Sequence, residues 1–319
     1  MIYGICGYKQ SGKNTVAKIW GILDFYYKMG KDCWVKYAYI NGKIKKFTDI
    51  DYVLNNLQFE NKNSNWQEKS FAHSLKKILC ILYGFKIEDF ESEEFKSKEL
   101  PEAFWYWYMK LDAGYGDVII PYTTPKSPKG YEGLKLIKPT PRMLLQKIGT
   151  DLFRNQLHPN WAINSLMKEY KTFDVVGAFN DDYSAWKKRF PKWLITDIRF
   201  QNEADAVIER GGKLIKVIRY KVGDKVWFND EAGLYEDKNQ SGEYEIIGIH
   251  SNEEYLISNG TTEMGAWNYE IKHINRDTHA SEVEQDFIPV HYAIHNSNTL
   301  EDLIESVKYI MIEEGVIKV

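Results

Sequence analysis

A glycine-rich heptapeptide near the amino terminus carries the clearest chemistry in the chain. Residues 7–13 read Gly-Tyr-Lys-Gln-Ser-Gly-Lys, which matches the G-x-x-x-x-G-K core of a phosphate-binding loop. In such a loop the glycines let the backbone wrap a phosphate, amides at a helix N-terminus face the anion, and the lysine reaches its outer oxygens. We predict that Lys9, Ser11, Gly12 and Lys13 contribute to a nucleotide phosphate site.

The position after the loop lysine departs from the usual pattern. Serine or threonine normally stands there and binds Mg²⁺, whereas this chain has Asn14, with Thr15 next. An amide oxygen is a poorer magnesium ligand than a hydroxyl in the usual place. We expect one of these two residues to approach the metal, directly or through water, and the pattern leaves open which.

A second candidate site lies on a helix predicted for residues 140–151, which begins with an N-cap threonine and a proline. Arg142, Gln146 and Gly149 follow at i, i+4 and i+7, beside an apolar face formed by Leu145, Ile148 and Leu152. An arginine fork suits a phosphate, and a glutamine amide can read a base edge. The alternative is an ordinary solvated helix face.

A third group follows a buried strand. Asp197 and Arg199 lie at the carboxyl end of the run 193–197, the edge where open α/β sheets bind ligands. We predict that Asp197 orients magnesium-bound water or an acceptor and that Arg199 neutralises a transferring phosphoryl group. A structural Asp–Arg pair is the alternative, and Glu203 is spaced to hold the arginine.

Arg276 and Arg219 bracket a turn-rich stretch, and either is a candidate lid cation over ATP phosphates; a solvated surface role is the alternative for each. Asn296 follows a predicted strand and either contacts the nucleotide base or ends the strand. His279 is as well explained by packing or solvation as by ligand binding.

The elements that must position these residues read as a parallel α/β sheet. Residues 2–6 form a short buried strand, and a helical pattern follows the glycine loop. Short apolar runs also predict buried strands at 193–197, 214–218 and 290–294, and a tentative strand at 69–72 precedes a helix. We interpret 28–68 and 112–139 as irregular excursions around the site.

One stretch breaks this pattern. Residues 222–274 are rich in Gly, Asn and Asp turns, with alternating runs KVWF, YEIIGI, YLIS and YEIKHI that predict a small antiparallel, SH3-like β-barrel. We therefore predict an α/β nucleotide-binding domain over 1–221 and 275–319, interrupted by an all-β insert at 222–274.

Composition narrows the function classes. The chain has 319 residues and a formal net charge of −3, so it lacks the basic field that would hold nucleic acid. Its three cysteines have no metal-ligand spacing, and no stretch resembles a signal peptide or a membrane span. We expect an unexported cytoplasmic protein that binds small anions.

The ordered set of motifs resembles the deoxynucleoside monophosphate kinases of tailed phages. The matching blocks are GYKQSGKNTVA, KSFAHSLKKIL, PTPRMLLQKIGTDLFR with the tryptophan that follows, LITDIRFQNEADAVIERGGKLIKVIR, HASE and the final strand. The resemblance covers most of the chain except 222–274 and the two excursions. It implies a three-layer P-loop NTPase fold, with helices on both faces of a five-stranded parallel sheet.

The resemblance also implies an activity and a site. The chain would transfer the γ-phosphate of ATP to a deoxynucleoside monophosphate with Mg²⁺, in the host cytoplasm if a phage encodes it. Its monophosphate site would be lined by Arg142, Gln146, Gly149, Thr150 and Trp161. Asp197, Arg199 and Glu203 would lie between the two nucleotides. The family usually carries Asp where this chain has Asn14.

Two alternatives stay open at this point. One is a P-loop kinase of another small acceptor. The other is a P-loop binding protein or NTPase whose β insert recruits a partner. The insert is a candidate for protein binding in either case, and a homodimer is also open.

Overall fold

A computed structural model describes residues 1–28, 37–40, 43–46, 48–57, 64–110, 117–123, 126, 128–129, 133–175, 187–229, 241–251, 254–267, 271–273 and 284–318. The chain forms two compact units, the first built from Met1–Phe71 and Met167–Val319 and the second from Ala72–Leu166.

The described strands are β1 Ile2–Cys6, β2 Tyr37–Ile40, β3 Lys43–Lys46, β4 Trp66–Lys69, β5 Tyr106–Lys110, β6 Asp117–Pro121, β7 Lys135–Ile137, β8 Phe173–Val175, β9 Lys187–Arg189, β10 Lys192–Ile198, β11 Lys213–Ile218, β12 Lys225–Phe228, β13 Gly242–Ile249, β14 Glu254–Ser258, β15 Glu263–Trp267, β16 Ile271–His273 and β17 Tyr292–His295. The described α-helices are α1 Lys13–Lys28, α2 Asp49–Asn56, α3 His73–Tyr83, α4 Glu93–Ser97, α5 Pro141–Gln146, α6 Trp161–Met167, α7 Gln201–Ile208 and α8 Leu300–Glu313.

The first unit is built on a five-stranded parallel sheet in the order β17-β11-β1-β10-β4. The apolar runs predicted as strands at 2–6, 193–197, 214–218 and 290–294 all lie in it. The tentative strand at 69–72 was placed too late, because the strand is Trp66–Lys69 and helix α3 begins at His73. Parallel strands share one carboxyl edge, which is therefore where the segments after all five strands meet.

Helices cover both faces of this sheet. Tyr3 and Ile5 of β1 belong to a buried cluster with residues of α1, α2 and α8. The side chain of Ile2 points the other way, because side chains alternate along a strand. A Cβ at Gly212 would lie 2.8 Å from Ile2 Cγ2 and 2.6 Å from Val207 Cγ1 of α7, which places α7 on that opposite face.

The stretch predicted as an all-β insert contains a five-stranded antiparallel sheet in the order β15-β14-β13-β12-β16. Alternate residues of its strands point into a separate core that includes Val226, Phe228, Tyr244 and Tyr255. Strand β15 was not predicted, because its sequence EMGAW lacks the β-branched residues typical of strands. That the sheet closes into an SH3-like barrel and folds as a separate domain stays a prediction.

The second unit combines helices α3, α4 and α5 with the three-stranded antiparallel sheet β6-β5-β7. Leu79, Phe90, Leu100 and Leu144 form its buried centre. Strands β6 and β7 lie within 112–139, which was predicted to be irregular, and α2 lies within the other such stretch, 28–68. Across all described residues, no helix is long and apolar enough to cross a membrane.

Candidate functional site

The glycine loop connects β1 to α1 at the carboxyl edge of the parallel sheet. Gly7 and Gly12 have φ angles of 140° and 104°, which favour glycine. A Cβ at Gly7 would lie 2.2 Å from the Val217 carbonyl oxygen, and one at Gly12 would lie 2.4 Å from Asn296 Nδ2. Both glycines of the G-x-x-x-x-G pattern are thus required by close contacts as well as by backbone conformation.

Lys13 is the first residue of α1, and its side chain folds back over the loop. Its ammonium nitrogen donates hydrogen bonds to the carbonyl oxygens of Gly7 and Tyr8, both at 2.6 Å. The first amides of α1 have no intrahelical acceptors, and the helix dipole makes this end partly positive. A lysine charge and a helix N-terminus therefore meet at one loop, which is an environment suited to an anion.

The predicted residue Asn296 braces this loop. Its Nδ2 donates a hydrogen bond to the Ser11 carbonyl oxygen at 2.8 Å. Its backbone amide donates to the Ile218 carbonyl oxygen at 2.7 Å, which extends the pairing of β17 with β11. Ser11 is only 2 % exposed, and its hydroxyl has no hydrogen-bond partner among the described residues. Lys9 and Asn14 are exposed, and Thr15 is half-buried.

Two further contacts tie the loop to the rest of the first unit. Tyr8 donates a hydrogen bond from its hydroxyl to Asp286, which also forms an ion pair with Lys216 at 3.6 Å. Lys221 Nζ donates to Gln10 Oε1 at 3.3 Å. Gln10 has a φ of 61°, an uncommon conformation for a residue other than glycine. Lys221 was not singled out from the sequence, since nothing in its spacing distinguishes it from a surface lysine.

Asp197 lies at the end of β10, the strand next to β1, and its carboxylate bridges to β4. Oδ2 accepts a hydrogen bond from the Ser70 hydroxyl at 2.6 Å, and Oδ1 accepts from the Phe71 amide at 2.8 Å. Ser70 was missed by sequence reasoning because the preceding strand was placed three residues too late. Its signal was available: it is a hydroxyl residue directly after a strand of the parallel sheet.

Glu203 caps α7. It is 6 % exposed, and its Oε2 accepts hydrogen bonds from the backbone amides of Arg199 at 2.9 Å and Phe200 at 3.3 Å. An acidic side chain in the first turn also complements the helix dipole. Glu203 therefore holds the main chain at Arg199, and this fixes where the arginine leaves the strand.

Of the two candidate lid cations, Arg219 directly follows β11 and is exposed. Arg276 lies outside the described residues, as does His279. The described residues contain no group of three or more His, Cys, Asp and Glu side chains that could hold a metal ion.

In the second unit, α5 begins as predicted, with Thr140 Oγ1 accepting from the Met143 amide at 3.2 Å. Arg142 donates through Nη2 to Glu93 Oε2 at 2.6 Å, and Glu93 also pairs with Lys96. The Arg142 side chain is 28 % exposed, so part of the fork faces solvent while Glu93 holds one arm. Gln146 is half-buried on the same helix.

The helix then widens into a π-helix over Lys147–Leu157, which differs from the continuous α-helix predicted from the sequence. The predicted spacing therefore holds from Arg142 to Gln146 but not onward, and Leu152 is 40 % exposed instead of lying on an apolar face. π-Helical turns often occur at functional sites.

Three of the predicted acceptor residues meet around this π-helix. Trp161 Nε1 donates to the Gly149 carbonyl oxygen at 3.1 Å, and Thr150 is buried beside them. A Cβ at Gly149 would lie 2.6 Å from Leu75 Cδ2, so a small residue is needed there. Gly149 thus lets the helix approach α3, while its carbonyl orients the tryptophan ring.

The structure therefore groups the predicted residues in two sets. The first unit holds the glycine loop, Asp197, Arg199, Arg219 and Asn296 along one sheet edge. The second unit holds Arg142, Gln146, Gly149, Thr150 and Trp161 on α5, the π-helix and the start of α6.

Comparison with known proteins gives one informative relative. No family model matches the chain. A protein of Acanthamoeba polyphaga mimivirus, provisionally named as a deoxynucleotide monophosphate kinase, is 27% identical over 224 residues, covering 68% of this chain and 84% of the viral protein. The chain is thus distantly similar to that protein over most of both lengths.

Proposed function

We propose that this protein is an ATP-dependent kinase that transfers the γ-phosphoryl group to a deoxynucleoside 5′-monophosphate. The observation that carries the proposal is the glycine loop, in which two conformationally required glycines and Lys13 surround the N-terminus of α1. The name of the mimivirus relative supports the same activity.

On the ATP side, the loop would cradle the phosphates. Lys13 has three ammonium donors, and two of them are directed at the carbonyls of Gly7 and Tyr8. Binding of ATP would direct this charge to the β- and γ-phosphate oxygens, and the α1 dipole would add to the attraction. Arg199 and Arg219 follow strands at the same edge and would supply further positive charge.

The carboxyl edge of the parallel sheet also carries side chains that could bind Mg²⁺. Asp197 lies at this edge with its carboxylate held by Ser70 and Phe71, and Mg²⁺ is commonly bound by one or two carboxylates together with substrate phosphates. Asp197, with Asn14 or Thr15 at the start of α1, would hold the ion, and the ion would offset phosphate charge during transfer. Ser70 and Phe71 would keep the carboxylate in place.

On the acceptor side, Arg142 would bind the monophosphate and Gln146 would contact the base. Glu93 accepts a hydrogen bond from Nη2 of Arg142, which limits the rotation of the guanidinium group. A fixed fork loses less conformational entropy when it binds a phosphate. Trp161, oriented by Gly149, would contribute an aromatic surface to the acceptor site.

The reaction would be an in-line displacement. An oxygen of the acceptor monophosphate forms a bond to the γ-phosphorus, the bond from that phosphorus to the β,γ-bridging oxygen breaks, and ADP leaves. The acceptor is already ionised near neutral pH because its second phosphate pKa is near 6, so the reaction needs no general base. Lys13 and the arginines would offset the repulsion between the two anions.

The first test is a coupled ADP-release assay with ATP and Mg²⁺, run with each deoxynucleoside monophosphate, each ribonucleoside monophosphate and no acceptor. We expect ADP only when a monophosphate is present, and a loss of at least about 100-fold in Lys13→Ala. Lys18→Ala is the matched control, because Lys18 is an exposed lysine on the same helix. Acceptor-independent ADP release would instead identify an NTPase.

Arg142→Gln tests the acceptor side. We expect the KM for the monophosphate to rise at least about tenfold with little change in the KM for ATP, because a charge-assisted contact to the acceptor is lost. Arg154→Gln, a substitution in the adjacent π-helix, should leave both constants unchanged. Equal KM values in Arg142→Gln and the wild type would remove Arg142 from the acceptor site.

A further inference from the structure

The charge of the chain is unevenly distributed. Residues 222–274 contain eleven acidic and three basic side chains, a formal charge of −8, although the whole chain carries only −3. The rest of the chain is therefore at +5. A module this acidic repels nucleic acid and other polyanions and attracts cations.

The antiparallel sheet in this segment has one buried and one outer face. Residues directly opposite each other on neighbouring strands share a face. Trp227 of β12 lies opposite Glu243, and Trp267 of β15 lies opposite Glu254. The two tryptophans are 50 % and 43 % exposed, whereas the intervening core residues are buried.

The outer face also carries Ile247, which is 36 % exposed, and the acidic residues Glu245 and Glu263. Its described basic residues are Lys225, which pairs with Glu245, and Lys272, opposite Trp227. Exposed tryptophans next to carboxylates are an unusual combination for a surface that contacts only water.

An open depression of about 450 Å³ is lined by residues of β12 and β13 and by the end of β14. Its lining includes Lys225, Glu243, Glu245, Ile247 and Ser258. An entering side chain would meet the Glu243 carboxylate, the Lys225–Glu245 ion pair and an apolar wall. An arginine or lysine side chain has the matching parts, a cationic head and an apolar stem.

We propose that this outer face, defined by Trp227, Trp267, Glu243, Glu245 and Glu254, is a docking surface for an arginine- and lysine-rich segment of a partner protein. The carboxylates would bind the cationic groups, and the tryptophan rings would stack against guanidinium planes and aliphatic stems. The negative net charge selects this partner over nucleic acid or an acidic protein.

The test uses the full-length protein and a fluorescein-labelled peptide of alternating arginine and glycine. About eight residues suffice, because five strands spaced about 4.8 Å apart are crossed by roughly six extended residues. Binding is followed by fluorescence anisotropy at two salt concentrations. The variants are Trp227→Ala and the double variant Glu243→Gln/Glu254→Gln.

The matched controls remove an aromatic ring and two carboxylates from α8, which lies outside the proposed docking surface. Tyr309→Ala removes an aromatic ring that is 61 % exposed on α8. Glu301→Gln/Glu313→Gln removes two exposed carboxylates from the same helix. Thermal unfolding of every variant confirms that the exposed substitutions leave the fold intact.

We expect Kd to rise at least about tenfold in Trp227→Ala and in the double glutamine variant, and to stay within about twofold of wild type in both controls. Equal losses in the α8 controls would overturn the proposal, because they would show attraction to overall charge only. A failure of the wild type to bind would also overturn it. In that case the molecular size of the two proteins in solution is measured. A dimeric wild type and a monomeric Trp227→Ala variant would identify a second copy of the chain as the molecule that covers this face.

Discussion

At the scale of single residues, Gly7 is constrained most severely. Its φ of 140° is unfavourable for side chains, and a Cβ would lie 2.2 Å from a backbone oxygen that cannot rotate away. We predict that Gly7→Ala lowers the free energy of unfolding by about 3 kcal/mol, since strain and a steric clash act together.

Gly211→Ala is the control for this prediction. Gly211 has a φ of 70°, but a Cβ there would have nothing within 4 Å. Only the backbone penalty remains, so we expect a loss of about 1 kcal/mol. Urea denaturation of both variants gives the two free energies, and similar losses would show that the close contact to Val217 adds nothing.

Ser70 allows a test of how Asp197 is positioned. We predict that Ser70→Ala lowers kcat about tenfold with little change in the KM for ATP, because one of the two hydrogen bonds that orient the carboxylate is lost. Ser70→Thr should restore the rate, since it keeps the hydroxyl. Ser306→Ala, which removes a hydroxyl from α8, should have no effect, and a similar loss there would argue against a specific role for Ser70.

The residue scale is also where sequence reasoning was strongest. The places of Gly7, Gly12, Lys13, Asp197 and Asn296 at one sheet edge can be predicted because they follow from strand ends and one short motif, whereas the roles of these residues stay predictions. Ser70 and Glu93 cannot be found in this way. Their roles depend on partners 127 and 49 residues away, which no local pattern reveals.

At the scale of elements, Glu314 joins α8 to the amino-terminal edge of the sheet. Its carboxylate accepts hydrogen bonds from Tyr3 of β1, Lys213 of β11 and Tyr292 of β17. Burial alone would raise the pKa of Glu314, but the bonds from Lys213, Tyr292 and Tyr3 outweigh it, so the pKa lies below its usual value. One residue therefore connects three strands and a helix.

A carboxyl whose pKa is lowered on folding stabilises the protein above its unfolded pKa and loses that contribution as pH falls. We predict that Glu314→Gln costs about 1 to 2 kcal/mol near pH 7 and that the difference from wild type shrinks as the pH falls below the usual pKa of a glutamate carboxyl. Glu313→Gln, its exposed neighbour, should cost little at either pH. A difference that does not change with pH would contradict the assignment.

Elements were predictable where one physical signal dominated. Fully buried parallel strands read as apolar runs, and alternating strands such as Lys225–Phe228 read as a period of two. Strand β15 lacks β-branched residues and is held by its pairing with β14. The π-helix after Gln146 depends on the contacts of Gly149 with Leu75 and Trp161, so its sequence still reads as an α-helix.

At the scale of the whole molecule, the acidic β segment begins and ends at adjacent strands. Strand β12 pairs with β16 in antiparallel fashion, with Val226 opposite His273. Residues paired in this way have Cα atoms only about 5 Å apart, so a short linker can replace everything between them. The rest of the parallel sheet would keep its connections.

We predict that replacing residues 222–274 with a short glycine-serine linker leaves a folded protein. Tyr220 should be changed to Ser in the same variant, because its ring is buried in the removed core. Urea unfolding should remain cooperative, with an m-value lower by roughly one sixth, in proportion to the residues removed. Loss of cooperative unfolding would show that the segment is an integral part of the first unit.

The brace between Asn296 and Ser11 has a consequence for the order in which the molecule matures. Ser11 leaves the ribosome long before Asn296 does, because the side chain that supports its carbonyl is 285 residues further along the chain. Chains generally fold in units while they are synthesised, from the amino terminus onward. The glycine loop therefore gains this support only after Asn296 has been synthesised, and a nascent chain truncated before that residue would carry the motif without the finished loop.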